Sequence, residues 1–223
     1  MNVRPLLVVN TVLIAAMVAV SAWGWQSIPD GATVPMNIGL DGKAYRHTDK
    51  AFYLYLMPAV GLGLTLMFAI LPLLDPRRPN LAASGRFWNA AGMLSVGFLA
   101  YVHVLLVWAA AGNPIDLTSA LVPGLSVLFI GIGNYMSKTR SNWFGGVRTP
   151  WSLSSEYSWE KSNRWGGRMM AASGLAGLVA WFFLEAQMAF LLLIALVVLS
   201  GVVSILLSYV FWRADPERRS SHN

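Results

Sequence analysis

The chain has 223 residues, of which 56% are hydrophobic and 12% are charged, and its formal net charge is +6. A soluble domain usually carries about 25% charged residues, so this composition excludes an ordinary soluble protein and indicates a membrane protein. Because the sequence contains no cysteine, it also excludes a disulfide framework, thiol catalysis and cysteine metal sites.

Long uncharged stretches separated by short polar ones predict an all-α, polytopic membrane protein, since about 20 apolar residues cross a bilayer as a helix. The last stretch, 169–212, carries one charge, Glu185. A single helix of that length would be about 66 Å long, so we expect two spans that turn near 184–187. The sequence therefore predicts six transmembrane helices, at roughly 5–25, 52–74, 88–111, 117–136, 168–184 and 187–212.

The basic residues predict the orientation of these spans. All but three of the 16 lysine and arginine residues fall on the side that holds both termini, and the three exceptions are Lys43, Arg46 and Lys50. Cytoplasmic loops carry an excess of such residues, so we expect both termini to be cytoplasmic. Loop 26–51 is then outside and loop 137–167 is cytoplasmic. Basic residues beside the membrane also suit anionic headgroups, which predicts membrane lipids as partners and no direct contact with nucleic acid.

The first apolar stretch also resembles a signal peptide, because Arg4 precedes it and a small residue lies before Trp23. Its length and its interfacial pair, Trp23 and Trp25, favour a retained helix. Cleavage would leave five spans and place the new N-terminus outside.

One histidine, His103, falls within a predicted span, and an ionisable residue inside the membrane is a functional hypothesis by default. The alternative, which we favour, is a neutral imidazole bonded to a neighbouring helix, since the acidic residue of the spans, Glu185, lies near an end. There is no HExxH motif and no cluster of Asp, Glu and His at helical spacing. The sequence therefore predicts no metal site, no cofactor and no catalytic residue.

A dense polar segment, FGGVRTPWSLSSEYSWEKSNRWGG, occupies 144–167 between two apolar stretches. Pro150 suits the first position of a helix, and 154–165 is predicted to be helical, with Glu160 and Arg164 paired at i,i+4. The tryptophans and basic residues are typical of a helix that lies in the headgroup layer and anchors the bundle. That interpretation leaves the order NWFGGVRTPW unexplained.

The string NYM at 134–136, followed by RSNWFGGVRTPWSLSSEYSWEKSNRWGGRM at 140–169, resembles the signature of the SdpI family of bacterial membrane proteins. The resemblance covers roughly 115–212. It implies an immunity protein of the cytoplasmic membrane, which protects a toxin-producing cell from its own secreted antibacterial peptide and also holds a transcriptional repressor at the membrane. On this resemblance we assign a cytoplasmic motif whose residues are Asn134, Asn142, Gly145, Arg148, Thr149, Pro150, Trp151, Trp159, Asn163 and Arg164.

Two kinds of side chain in this motif are candidates for contacting a partner. Arg148 and Arg164 are able to bind a phosphate or a carboxylate through two hydrogen bonds. Trp151 and Trp159 are candidates for anchoring a partner or the membrane. Each of these residues is equally explained by a structural role in holding the loop against the helix ends.

The first half resembles the small domain of unknown function that often precedes the SdpI domain, which divides the chain into 1–111 and 112–223. The outer loop of that domain usually reads Pro, any residue, His, and then Gly. Pro35 and Gly42 match, but Asn37 stands where the histidine is expected, so metal binding or proton exchange there is in doubt. If the protein confers immunity, this loop would meet the toxin through Pro35, Asn37, Asp41, Gly42, Tyr45 and Arg46.

We favour an immunity and signalling protein without catalysis, with a peptide toxin outside and a cytoplasmic repressor or other regulator as partners. The alternative is a small transporter or a lipid-handling protein. The intramembrane polar residues that would serve it are scattered and define no path; they are Asn10, Thr65, Asn89, Ser95, Tyr101, His103 and Asn134. A membrane-embedded enzyme would need a nucleophile, an acid–base pair or a metal, and the sequence presents none.

Overall fold

The computed structural model describes residues 1–31, 34–38 and 44–220. Its elements are mainly long helices, joined by short helices and one hairpin. In chain order they are α1 (Arg4–Ser27), β1 (Val34–Ile38), β2 (Ala44–Thr48), α2 (Lys50–Leu74), α3 (Arg78–Ala83), α4 (Gly85–Ala110), α5 (Leu117–Met136), α6 (Pro150–Leu153), α7 (Glu156–Phe183), α8 (Ala186–Arg213) and α9 (Pro216–Ser220).

Among the described residues, five helices are long and apolar enough to cross a membrane: α1, α2, α4, α5 and α8. The all-helical membrane architecture is therefore confirmed, with the short β1–β2 hairpin as an addition that the sequence did not predict. The remaining predicted span, at 168–184, forms the second part of α7. Helix α7 is not one of the five helices that are long and apolar enough to cross a membrane. Six crossings and the orientation of the termini therefore stay predictions.

The start of α7 differs from the expectation of a separate interfacial helix at 154–165. Glu156–Phe183 is one continuous helix of 28 residues, about 42 Å long. Trp159 and Asn163 in its first part are almost fully buried. The polar start of this helix is therefore a buried extension of a bundle helix and is not a separate helix.

Polar side chains cap the first turns of three long helices, α2, α5 and α7. Asp49 accepts a hydrogen bond from the backbone N–H of Phe52 (2.8 Å) at the start of α2, and Asp116 accepts from Ser119 (3.1 Å) at the start of α5. Ser155 caps α7 by accepting from Ser158 (3.0 Å). Such caps satisfy backbone N–H groups that have no partner within the helix.

The long helices pack in two groups of three. The first group contains α1, α2 and α4, and the second contains α5, α7 and α8, while contacts between α4 and α5 join the two groups. The division into two domains, 1–111 and 112–223, requires more than this grouping and stays a prediction.

Small residues bring α5 and α7 into backbone contact. A Cβ atom on Gly133 would lie 2.5 Å from the carbonyl oxygen of Gly167, and a Cβ on Gly167 would lie 2.5 Å from the carbonyl oxygen of Gly133. On α8, Ser200, Ser204 and Ser208 recur every four residues and are buried. Small and hydroxylated side chains inside, with leucine and valine facing outward, are typical of helix packing in a membrane, where the surrounding lipid is apolar.

Candidate functional site

Apart from Asn134, the residues of the predicted cytoplasmic motif lie in a folded cap, which we define as residues 137–155 together with the first turns of α7. It covers the end of the bundle at which α1, α4 and α7 begin and α2, α5 and α8 finish. We call this the basic end, because the segments between α2 and α4 and between α5 and α7 lie there and carry Arg77, Lys138, Arg140 and Arg148. The opposite end carries the β1–β2 hairpin.

Asn142 organises the first turn of the cap. It is fully buried, and its Oδ1 accepts hydrogen bonds from the backbone N–H groups of Phe144 (3.0 Å) and Gly145 (2.7 Å). Its Nδ2 donates to the carbonyl oxygen of Arg140 (2.8 Å). A side chain at Gly145 is excluded, because a Cβ there would lie 2.5 Å from the ring of Phe87 on α4.

Two buried residues of α7, one turn apart, hold the loop against the helix. Asn163 accepts a hydrogen bond from the backbone N–H of Val147 at 2.7 Å, and Trp159 donates its indole N–H to the carbonyl oxygen of Thr139 at 3.0 Å. Between these contacts, Gly146 has φ = +105°, a conformation that side chains disfavour. A Cβ on Gly146 would also collide with the amide oxygen of Asn163. The glycine pair in NWFGGVRTPW is thus explained by its packing.

The Thr-Pro-Trp-Ser sequence forms α6 and joins the cap to α8. Thr149 and Ser152 form a reciprocal capping box around this short helix, in which Pro150 occupies the first turn. The Thr149 hydroxyl also hydrogen-bonds to that of Ser208 at 2.8 Å. Trp151 packs edge-on against Tyr209, with ring centroids 5.1 Å apart. Both Thr149 and Trp151 therefore contact α8.

The cap is also bonded to the first half of the chain, through residues that the sequence analysis missed. Buried Asp75 accepts from the backbone N–H of Trp143 (3.2 Å). The Arg77 guanidinium donates to the hydroxyl of Ser141 and to the carbonyl oxygen of Leu153 (3.0 Å). One signal was available in the sequence, because Asp75 is the single acidic residue in a basic loop, directly after a predicted span.

Part of the predicted motif remains at the surface. Arg148 is exposed and donates to the carbonyl oxygen of Trp143 at 2.8 Å. Arg164 pairs with Glu160, as the i,i+4 spacing predicted, and both side chains are substantially exposed. Asn134 is exposed on α5, where it lines a cavity together with Lys138. Trp159 is 1% exposed, so it is unable to anchor a partner.

The outer-loop candidates fall on the hairpin or outside the described residues. Pro35 and Asn37 lie on β1, and Tyr45 and Arg46 lie on β2, with Asn37 opposite Arg46 in the antiparallel register. The remaining two candidates, Asp41 and Gly42, lie outside the described residues.

His103 is buried where three helices meet. Its Nε2 lies 3.0 Å from the hydroxyl of Ser21 and 3.1 Å from the carbonyl oxygen of Met17, both on α1. Ser21 in turn donates to the carbonyl oxygen of Leu54 on α2 (2.7 Å). The imidazole is therefore bonded to a neighbouring helix, and the absence of a functional role for His103 stays a prediction.

The arrangement defines a multi-pass helical membrane protein with one end closed by a hydrogen-bonded cap. Residues 138–208, which include most of that cap, match the SdpI/YfhL protein family. The chain is 28% identical over 164 residues to the "Immunity protein SdpI" of Bacillus subtilis (strain 168). The aligned region covers 74% of this chain and 76% of the relative. No solved structure matches the chain. The two sequence matches confirm the resemblance to the SdpI family that the motif indicated.

Proposed function

We propose that the protein is an integral membrane immunity protein, which protects its cell from a secreted antibacterial peptide toxin without catalysing a reaction. The observation that carries this proposal is the similarity to an immunity protein over about three quarters of both chains. The cap supports it, because hydrogen bonds join the motif residues within the matched range 138–208 into a single folded unit.

Six membrane crossings with both termini in the cytoplasm form part of the proposal. The second part of α7 packs between α5 and α8, which supports a crossing helix. The basic end would then face the cytoplasm, as the excess of Lys and Arg predicts, and the hairpin would face outside, where a secreted toxin arrives.

The cysteine-free sequence allows this topology to be tested directly. Glu185→Cys places a thiol at the exposed turn between α7 and α8, and Ser154→Cys places one on the exposed surface of the cap. We expect a membrane-impermeant maleimide to label Glu185→Cys in intact cells, and Ser154→Cys after permeabilisation alone. Labelling of both positions under the same condition would contradict a sixth crossing.

Recruitment of a cytoplasmic regulator is the second part of the proposal. Buried motif residues are unable to contact a partner. Among the exposed residues of the cap, we assign the recruitment surface to Arg148, Trp143 and Pro150. The guanidinium of Arg148 suits a carboxylate, and the indole of Trp143 suits an apolar side chain. A partner with an acidic and an aromatic or aliphatic contact residue fits this surface.

The decisive test measures membrane potential with a voltage-sensitive dye in sensitive bacteria challenged with a membrane-active peptide toxin. We expect cells with the intact protein to keep their potential and cells without it to lose it. Asn163→Ala, which removes a buried support of the cap, should abolish protection if the folded cap is required. Arg148→Ala should leave protection intact while reducing capture of a cytoplasmic partner.

Membrane expression of each variant, measured by quantitative blotting, is the control that separates loss of function from loss of protein. Loss of potential in cells that express the intact protein normally would contradict immunity to that toxin. Retained partner capture by Arg148→Ala would contradict the recruitment surface and leave the immunity proposal standing.

A further inference from the structure

A cavity of about 910 Å³ with mixed polar and apolar walls lies at the basic end, between the start of α1, the start of α4 and the end of α5. Two exposed cationic residues, Arg86 and Lys138, line it together with the amides of Asn2, Asn89 and Asn134. No acidic residue is among the described residues on its wall, and neither cation forms an ion pair with another described residue. The cavity is therefore suited to an anionic group with several oxygen atoms.

The position of the cavity relates it to the membrane surface. Pro5 lies on its wall, and the next turn of α1 carries Val8 and Val9, which face outward from the bundle with 64% and 39% of their surface exposed. In a membrane protein such outward valines contact lipid. The cavity thus opens where the lipid-facing surface of the bundle begins.

An apolar groove of about 400 Å³ lies further along the line where α4 and α5 meet. Asn89, Met93, Gly97 and Tyr101 recur every four residues and so share one face of α4. The first of them lines the cavity and the other three line the groove. From Met93 to Tyr101 the helix rises about 12 Å, so the groove reaches well into the apolar layer.

We propose that this cavity and groove together form a binding site for one anionic phospholipid. The phosphate lies between Arg86 and Lys138, and one acyl chain follows the groove past Gly97. A cationic compartment that lies one helical turn from an apolar one, in the direction of the membrane interior, matches the two parts of such a lipid. This site is independent of the proposed immunity function, and its lipid would connect the two groups of helices through α4 and α5.

The experiment uses the full chain purified in detergent, with bound lipid counted by native mass spectrometry during titration with phosphatidylglycerol or with phosphatidylcholine of the same acyl chains. We expect phosphatidylglycerol to bind more tightly, and Arg86→Gln/Lys138→Gln to weaken its binding by roughly 30-fold, because each cation contributes to attraction of an anionic lipid. The matched control is Lys161→Gln/Arg168→Gln, which removes two cations of the same end that lie outside the cavity and should preserve the binding.

The acyl half of the site has its own variants. A Cβ on Gly97 would meet only Leu13, at 3.9 Å, so Gly97→Leu fills the groove without a collision at that atom. Val127, which lines the groove and is 56% exposed, provides a second variant, Val127→Phe, that does not depend on the backbone of α4. Both should weaken phosphatidylglycerol binding at least several-fold.

Four outcomes would overturn the lipid-binding proposal, and one of them uses a soluble anion. Equal affinity for the two lipids, or equal loss in the cavity variant and its control, would overturn the site. Displacement of phosphatidylglycerol by an equal concentration of inorganic phosphate would show that the cavity binds a free anion and would also overturn the lipid proposal. Unchanged lipid binding in both groove variants would have the same consequence.

Discussion

The two ends of the bundle are built from similar helix termini but are closed in different ways. At the basic end, the cap is bonded to α7 through Asn163 and to the segment after α2 through Asp75. At the opposite end, Lys50 joins the end of α1 to the start of α2 by donating to the carbonyl oxygen of Ile28 (2.6 Å) and to Asp30 (2.9 Å). The Asp30 side chain in that pair is 96% exposed.

This difference shows that a concentration of charge and tryptophan does not by itself mark a surface for binding. Most hydrogen bonds of the cap run between buried side chains and the backbone, where an unpaired group costs more than a lost surface contact. The cap should therefore tolerate substitution poorly, whereas the contacts at the opposite end should tolerate it well.

The largest expected difference comes from two glycines with positive φ, one at each end. Gly146 in the cap has φ = +105° and Gly112 at the opposite end has φ = +88°. Alanine is strained at both positions, by about 1–2 kcal/mol. At Gly146 the new methyl group also collides with Asn163, whereas at Gly112 it meets nothing within 4 Å.

We therefore expect Gly146→Ala to lower the free energy of unfolding by about 3 kcal/mol or more, since overpacking adds about 1–3 kcal/mol to the strain. Gly112→Ala should lower it by the strain alone. Thermal unfolding in detergent, followed by tryptophan fluorescence, measures both variants. Similar losses in the two variants would show that the packing of the cap against Asn163 contributes nothing beyond the backbone conformation.

A smaller difference is expected between two aspartates, again one at each end. Asp75→Ala removes the acceptor of the backbone N–H groups of Arg77 and Trp143, in a position that is 1% exposed. We expect a loss of about 1–3 kcal/mol, the cost of leaving buried donors without partners. Asp30→Ala removes an exposed ion-pair partner of Lys50 and should cost about 0–1 kcal/mol.

The same unfolding measurement compares the two aspartate variants, and the salt dependence separates their causes. Added salt screens exposed charges more than buried ones, so the effect of Asp30→Ala should shrink at high ionic strength while that of Asp75→Ala persists. Equal losses, or equal salt dependence, would contradict the distinction between the two ends.

Much of the helical architecture could be predicted from the sequence, because charges and prolines separate the apolar stretches clearly. The helix predicted at 117–136 is α5 (Leu117–Met136) with the same bounds, and the turn predicted near 184–187 lies between α7 and α8. The continuity of α7 could not be read in this way. Its first turns have the composition of a surface helix, and their burial comes from contacts with the loop that precedes the helix and with α8.

The candidate site was predictable in its residues but not in its connections. The family motif identified Asn142, Trp159 and Asn163, all of which are buried in the cap. It gave no indication that Asp75 and Arg77, more than 60 residues earlier, complete the same unit. Pairings over such a distance depend on how α4 and α5 cross, which no local pattern specifies.

The smallest expected effect concerns the exposed pair on α7. Glu160 and Arg164 are spaced i,i+4 on the surface of the helix that carries the cap, and such pairs contribute about 0.2–0.5 kcal/mol. Glu160→Gln should therefore lower stability by no more than that amount, even though its neighbours Trp159 and Asn163 are among the most buried residues of the cap. A loss as large as that of Asp75→Ala would mean that the surface of α7 is covered in the membrane-embedded protein. The exposed face of the cap would then also contribute to stability, and Arg164 would contact whatever covers that surface.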